Sequence, residues 1–261
     1  MGTMEQTVKV DGGEVWADDS GGEGLPLVLL HPGIADARVW DPVLPALTAR
    51  HRVIRYEARG FGRSPAPTVP YTQTADLGRV LDHFGLDRAV LVGSSLGGKT
   101  AIGFALSEPE RVAALGLLVP GVTGYPDLED PELTAEIGRL AQAGDMDGLL
   151  ALSLRTFAAA GSPPDTRAAE LIRDSFPGWF ATYGYDRPEP PAFDRLTELD
   201  LPTALLLGER DTPRVVACNE AMAARIPGCR LVRVAECDHL PTLRVPETVV
   251  RLVTELCDRA G

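Results

Sequence analysis

Six short apolar runs, most of them followed by a stretch with helical spacing, limit this chain more than any other feature. The runs are "PLVLLH" (26–31), "RVIRYEA" (52–58), "RAVLVGS" (88–94), "VAALGLLVP" (112–120), "PTALLLGE" (202–209) and "RLVRVAE" (230–236). Their Val, Leu and Ile are nearly continuous rather than alternating, which suits strands covered on both faces, as in a parallel sheet. Helical patterns fall at about 38–49, 72–85, 96–107, 213–226 and 244–259. In "TADLGRVLDHFGL", Leu77, Val80, Leu81 and Phe84 share one stripe. "VPETVVRLVTELCDR" shows the same spacing and opens with Pro246 in its first turn. Strand and helix in alternation predict an α/β fold with a doubly wound, mostly parallel sheet. "TVKVDGG" and "EVWADD" meet at Gly-Gly and predict an antiparallel hairpin at one edge.

One stretch interrupts this alternation. Residues 122–198 hold no convincing strand but three helical patterns, near 131–143, 145–160 and 165–184, then the Pro-rich return "RPEPPAF". The expected organisation is a core of residues 1–121 and 199–261 with a helical cap, 122–198, inserted between two strands. A separate domain is the second reading of that insertion.

Composition excludes several classes of partner. A net charge of −12 over 261 residues argues against nucleic acid and anionic membranes, both of which need a basic face. No apolar run approaches the roughly 20 residues that span a bilayer. The start "MGTMEQTVKVDGGEVW" has no basic segment leading into an apolar one, so no signal peptide is expected, and Met1–Thr3 reads as a cloning remnant. Cys218, Cys229, Cys237 and Cys257 form no C-x-x-C pair; packed, reduced thiols in a cytoplasmic protein are expected, with no metal and no cofactor. A homodimer is left open.

In doubly wound sheets, ligands bind beyond the carboxyl ends of the strands, so the residues just after each apolar run carry the chemistry. "LVGSSLGGKT" (91–100) has two adjacent serines. G-x-S-x-G selects Ser95, flanked by Gly93 and Gly97, because Ser94 would need glycine where Val92 and Leu96 stand. A nucleophile on a sharp strand-to-helix turn holds strained backbone angles, and strand and helix pass too closely there for side chains two residues to either side. The Leu96 N–H, at the start of the helix, is a natural donor for a developing oxyanion.

A serine hydroxyl needs a base. Of four histidines, His51 precedes a strand and His83 ends a helix that feeds the far end of the sheet. His31 follows "LVLL" at the correct end, but its "HPG" context suggests loop shaping. His239, in "AECDHLPTLRVPE", follows the last strand and is free to reach Ser95. A carboxylate should orient the imidazole. Asp211 in "ALLLGERDTP" is the candidate, with Glu209 the runner-up; Asp238 is rejected because neighbouring side chains diverge. The second oxyanion donor should lie in "LLHPGIADARVW". Pro32 has no N–H, so Gly33 is the first choice and Ile34 the second.

These segments, "LLHPG", "YEARGFGRS", "VGSSLGG", "LLLGERD" and "DHLPTLRVPE", resemble the motifs of α/β-hydrolase-fold enzymes, in order and spacing, over essentially the whole chain. The likeness runs to the microbial group of enol-lactonases, haloperoxidase-like esterases, related lactonases and carboxylesterases. It implies a serine hydrolase acting on a small to medium, mostly apolar ester or lactone through Ser95, Asp211 and His239. Departures from the family pattern are Pro32 in place of the usual glycine, Glu57 where an Asp is usual before "ARGFGRS", and Lys99, where an apolar residue or Arg is common; Lys99 reads as a helix-surface lysine, with contact to an anionic substrate as the alternative. Other members of this fold are lyases, C–C hydrolases, cofactor-free oxygenases or small-molecule receptors, which are the alternatives. The insertion gathers aromatics in "FPGWFATYGY": Phe176, Trp179, Phe180, Tyr183 and Tyr185. Phe176, Trp179 and Phe180, with Ile34 and Trp40 near the oxyanion loop, are the expected substrate-lining residues.

Overall fold

The computed structural model describes residues 4–128 and 130–260; Met1–Thr3, read above as a remnant, lie outside the described residues. Eight strands form one sheet in the order β1-β2-β4-β3-β5-β6-β7-β8. The predicted hairpin is β1 (Met4–Val10) and β2 (Gly13–Asp19), antiparallel, with β2 also antiparallel to β4. The remaining strands are parallel: β3 (Leu27–Leu30), β4 (Val53–Tyr56), β5 (Ala89–Ser94), β6 (Val112–Leu118), β7 (Thr203–Gly208) and β8 (Arg230–Val234).

Alternate residues of each inner strand feed two buried layers. Val28, Leu30, Leu91, Leu115 and Leu205 face one; Leu27, Leu29, Val90, Val92 and Leu206 face the other. That is why the strands read as continuous apolar runs: both faces are covered, and each side chain leaves water. Helices α2 (Gln73–His83), α3 (Leu96–Ser107) and α7 (Pro213–Arg225) supply the first layer, and α9 (Pro246–Ala260) the second.

One helix expectation needs correction. The pattern at 38–49 divides into a 3₁₀ turn, Ala37–Trp40, and a short α1, Leu44–Thr48, since Pro42 and Pro45 can each serve only a first turn. The pattern at 244–259 is α9, opening at Pro246; a short α8 (Pro241–Arg244) precedes it, with Val245 between them at φ −138° and ψ 54°, because the residue before a proline is pushed out of the helical region.

Between β6 and β7 lie α4 (Pro131–Gln142), α5 (Met146–Phe157) and α6 (Thr166–Thr182). Asp130, Asp145 and Asp165 cap the three, each accepting from a backbone N–H of the first turn. Their apolar faces do not close on a core of their own. Leu140, Leu149, Leu171, Ile172 and Phe176 belong to the same buried layer as Leu27, Leu29, Trp40 and α9.

Candidate active site

Ser95 stands between β5 and α3 at φ 50° and ψ −109°. Among the described residues, only it and Val119, just past the end of neighbouring β6, hold positive φ without being glycine. The flanking glycines are required by backbone contact. A Cβ on Gly93 would lie 2.3 Å from the Gly97 carbonyl oxygen, and one on Gly97 would lie 2.2 Å from that of Leu30. Any side chain there would push β3, β5 and α3 apart. The turn is pinned further by Ser95 N–H to Leu118 O (3.0 Å) and Gly121 N–H to Ser95 O (3.1 Å).

A second close approach brings the other two residues together. At the end of β7, a Cβ on Gly208 would lie 2.6 Å from Cys237 O. The loops after β7 and β8 are laced there by Glu209 N–H to Val234 O (3.0 Å) and Arg210 N–H to Cys237 O (2.9 Å). Asp211 Oδ2 therefore reaches His239 Nδ1 at 2.5 Å, and His239 Nε2 lies 2.8 Å from Ser95 Oγ. Asp211 also accepts the Thr212 N–H at 2.7 Å. With Asp211 holding Nδ1–H, the neutral imidazole presents Nε2 as the acceptor for the Ser95 hydroxyl. Burial alone would depress the imidazolium, but the charge and hydrogen bond of Asp211, with the more distant Asp238, hold its pKa above the ordinary histidine value.

The alternatives weighed on the sequence are occupied elsewhere. Glu209 points to solvent and pairs with Arg233 at 2.8 Å. Asp238 turns away from the site: it accepts from Ala160 N–H (2.9 Å), Leu240 N–H (3.0 Å) and Arg244 Nε (2.8 Å). Glu57, where an aspartate is usual, packs its carboxylate over Gly62 and accepts the Arg63 N–H at 2.6 Å, so it ties its own loop. His83 bonds Gln6 at the surface. Nδ1–H of His31 donates to Pro32 O at 2.8 Å, while its Nε2 accepts the Ala58 N–H at 3.0 Å. Burial lowers its pKa, in keeping with that neutral tautomer.

His31 thereby orients the loop that carries Gly33. The Pro32 carbonyl is taken by His31 and by the Ala35 N–H. In a planar trans peptide the N–H points opposite to the carbonyl, so the Gly33 N–H is turned away from His31. The next peptide is held by Trp179, whose indole N–H donates to Gly33 O. Gly33 and Leu96 adjoin, a Cβ on the former lying 3.6 Å from the latter's side chain. The Leu96 N–H belongs to the first turn of α3 and has no intrahelical acceptor.

A cavity of about 480 Å³ opens onto Ser95 and His239. Of the five expected lining residues, Ile34 and Trp179 border it. Trp40 does not: it is wholly buried in the core layer beneath the loop. Phe176 is also core, packed on Trp179 at 5.1 Å between ring centroids, and Phe180 is turned out, 48 % exposed. Residues 176, 179 and 180 share one stripe of α6 by their spacing, but that stripe runs from the core at Phe176 to solvent at Phe180, and only Trp179 borders the cavity. Tyr183 and Tyr185 are exposed as well. Phe61, Ile137 and Phe157 complete the apolar lining, with Gln73, Lys99 and Asp186 as its polar members. Phe61 was discoverable, since it sits in the loop after β4 at the carboxyl edge of the sheet; Lys99 stood out in the sequence as a departure from the family pattern, and Ile137, Phe157, Gln73 and Asp186 carry no sequence signal for this role. Among the described residues, no cluster of His, Cys, Asp and Glu is arranged to hold a metal ion. No described helix is long and apolar enough to cross a membrane.

A parallel sheet of this order, with a strained serine after β5, an acid after β7 and a histidine after β8, defines a class. Residues 26–243 match the family described as alpha/beta hydrolase fold, and the chain belongs to that family. It is 34 % identical over 84 % of its length to polyketide synthase ThaQ of Burkholderia thailandensis, of which it covers only 11 %. It is 28 % identical to the pimeloyl-[acyl-carrier protein] methyl ester esterase of Chromobacterium violaceum, over 90 % of this chain and 94 % of that one. Among solved structures it resembles Est816, described as an N-acyl homoserine lactone degrading enzyme, at 26 % identity and a TM-score of 0.79, over 96 % of this chain and 99 % of that one.

Proposed function

We propose that this protein is a serine hydrolase that cleaves a small to medium carboxylic ester or lactone through an acyl-enzyme. The observation that carries this reading is the continuous chain from Asp211 through His239 to Ser95, with both contacts made and the serine open to the cavity. The esterase and lactone-degrading relatives support it.

In this reading, His239 Nε2 takes the Ser95 proton as Oγ attacks the substrate carbonyl. Asp211 holds the imidazole in the right tautomer and balances the imidazolium charge. The tetrahedral oxyanion is met by the N–H groups of Leu96 and Gly33, whose directions are set by α3 and by His31. His239 then protonates the leaving alcohol and afterwards activates water to release the acid. The inserted helices act as a cap: Trp179, Ile137 and Phe157 line the cavity beside Ser95 and His239, and a substrate that displaces its water strengthens the electrostatic interactions there. The protein works in the cytoplasm, where its four free cysteines stay reduced.

The test is a fluorophosphonate adduct read by intact mass, with turnover of p-nitrophenyl esters of increasing chain length. One adduct on the wild type, none on Ser95→Ala, and a loss of kcat of about 10⁶ in that variant are expected. Retention of most of the rate by Ser95→Ala would overturn the assignment.

A further inference from the structure

Among the described residues, Lys99 is the one lysine or arginine lining the cavity, and the hydrolytic reading leaves it unused. It lies four residues after Ser95 on α3, about 6 Å further along the helix axis, and its backbone N–H donates to Ser95 O at 2.9 Å. Its side chain lines the same cavity as Ser95 and His239, among the apolar side chains of Leu96, Ile137 and Trp179. Among the described residues it makes no side-chain hydrogen bond and no close ion pair. An ammonium group facing an apolar cavity without an acceptor is costly to leave unsatisfied once a substrate displaces the water.

A neighbouring carboxylate explains why the group is held there. Asp186 faces the same cavity, and the backbone fixes it: Tyr71 N–H donates to Tyr185 O (3.0 Å) and Arg187 N–H to Tyr71 O (2.8 Å). Asp186 feels the charge of Lys99 and accepts a hydrogen bond from Gln73, while burial holds its carboxyl above the ordinary aspartate value. Lys99 is thus attracted to Asp186 without being consumed by it, and keeps donors to spare. The cavity lining carries this one lysine beside Asp186, and Glu189 and Asp76 add to the negative charge around that carboxyl. One ammonium can balance one carboxylate, whereas a dianion would bring more negative charge than Lys99 offsets.

We infer that the natural ester or lactone carries one carboxylate, seated against the Lys99 ammonium while Ser95 attacks the carbonyl. This rests on the hydrolytic reading for its chemistry but not for its binding site.

The test uses matched probes: methyl hydrogen esters and dimethyl esters of straight-chain dicarboxylic acids from succinate to suberate, and a second series with the carboxylate on the alcohol. For the best-fitting length, kcat/KM should favour the anionic member by about tenfold or more, mainly through KM, the value of one hydrogen bond to a charged group. Higher salt should narrow the preference. Lys99→Met should abolish it, and Lys99→Arg should restore part of it. Binding of the same anionic probes to Ser95→Ala, measured by calorimetry, should weaken equally when Lys99→Met is added. Equal or better turnover of the neutral member throughout both series, with Lys99→Met changing no ratio, would overturn the carboxylate assignment. Lysine-dependent binding without turnover of any probe would instead sink hydrolysis and leave the anion site standing.

Discussion

The two sides of this site are held by different means. On the sheet side, Ser95, Asp211 and His239 are placed by backbone touching backbone. Gly93, Gly97 and Gly208 each sit where a single methyl group would overlap a carbonyl, and the loops are stitched by main-chain hydrogen bonds. On the side of the insertion, contact is made largely by side chains that cross long stretches of sequence. Trp179 reaches Gly33, and Arg244 joins Asp165 (2.6 Å) to Asp238 (2.8 Å), beside which Ala160 also bonds. The Phe157 carbonyl accepts the His239 N–H at 3.2 Å, and its ring packs on the imidazole. The sheet therefore sets where Ser95, Asp211 and His239 stand, and the inserted helices bear on how two of the loops around them are oriented. Backbone contacts cannot be adjusted by a rotamer change, so damage should be severe on the first side and graded on the second.

The hardest test of that contrast is Gly97→Ala. Its Cβ would meet the Leu30 carbonyl, and a cost of about 3 kcal/mol, at the upper end for overpacking, is expected together with loss of activity. Chemical denaturation and fluorophosphonate labelling would show it. A near-native protein would mean that β3 and α3 can separate, against the rigid picture.

Comparable in stability, but without the direct loss of activity, is the effect of the buried ion network. Arg244→Ala leaves the wholly buried Asp238 without its cation, which should cost about 3–5 kcal/mol in urea unfolding. A value near zero would show that the insertion is not latched to the His239 loop in solution.

The pH profile sharpens the same point. Because the His239 pKa is raised, the working neutral base forms only above the ordinary 6.5, so kcat/KM should rise with pH through a midpoint above that value. Removing the Asp238 charge in Asp238→Asn lowers the cation's stabilisation and should move the midpoint down. An unmoved midpoint, with the variant folded, would separate Asp238 from the histidine electrostatically.

A smaller effect is expected from Trp179→Phe, which keeps the ring and loses the hydrogen bond to Gly33. One neutral hydrogen bond corresponds to roughly a fivefold loss, and it should appear in kcat rather than KM if the indole orients the oxyanion loop. Tyr183→Ala closes the series: at 89 % exposure, it should change stability by less than about 0.5 kcal/mol. A large effect there would point to a role for the insertion's outer face.

Local pattern determined a great deal here. Both-face burial wrote the inner strands as unbroken apolar runs, and helical spacing marked the insertion's three helices close to their ends. Ser95 was legible because its turn admits only glycine two residues away, and Asp211 and His239 because each follows a strand at the carboxyl edge. These signals are local: they depend on a residue's own element and its immediate neighbours. What only the tertiary structure decided was which way the aromatics of α6 turn, why Trp40 belongs to the core, which backbone groups His31 bonds in shaping its loop, and that Lys99, Gln73 and Asp186 line one cavity. Those three come from different elements, joined through a short bridge between Tyr71 and Asp186. Periodicity reports which residues share a face of one element, but not which face of another element that one will meet. That meeting is settled by packing the whole chain, and with it the polarity of the cavity.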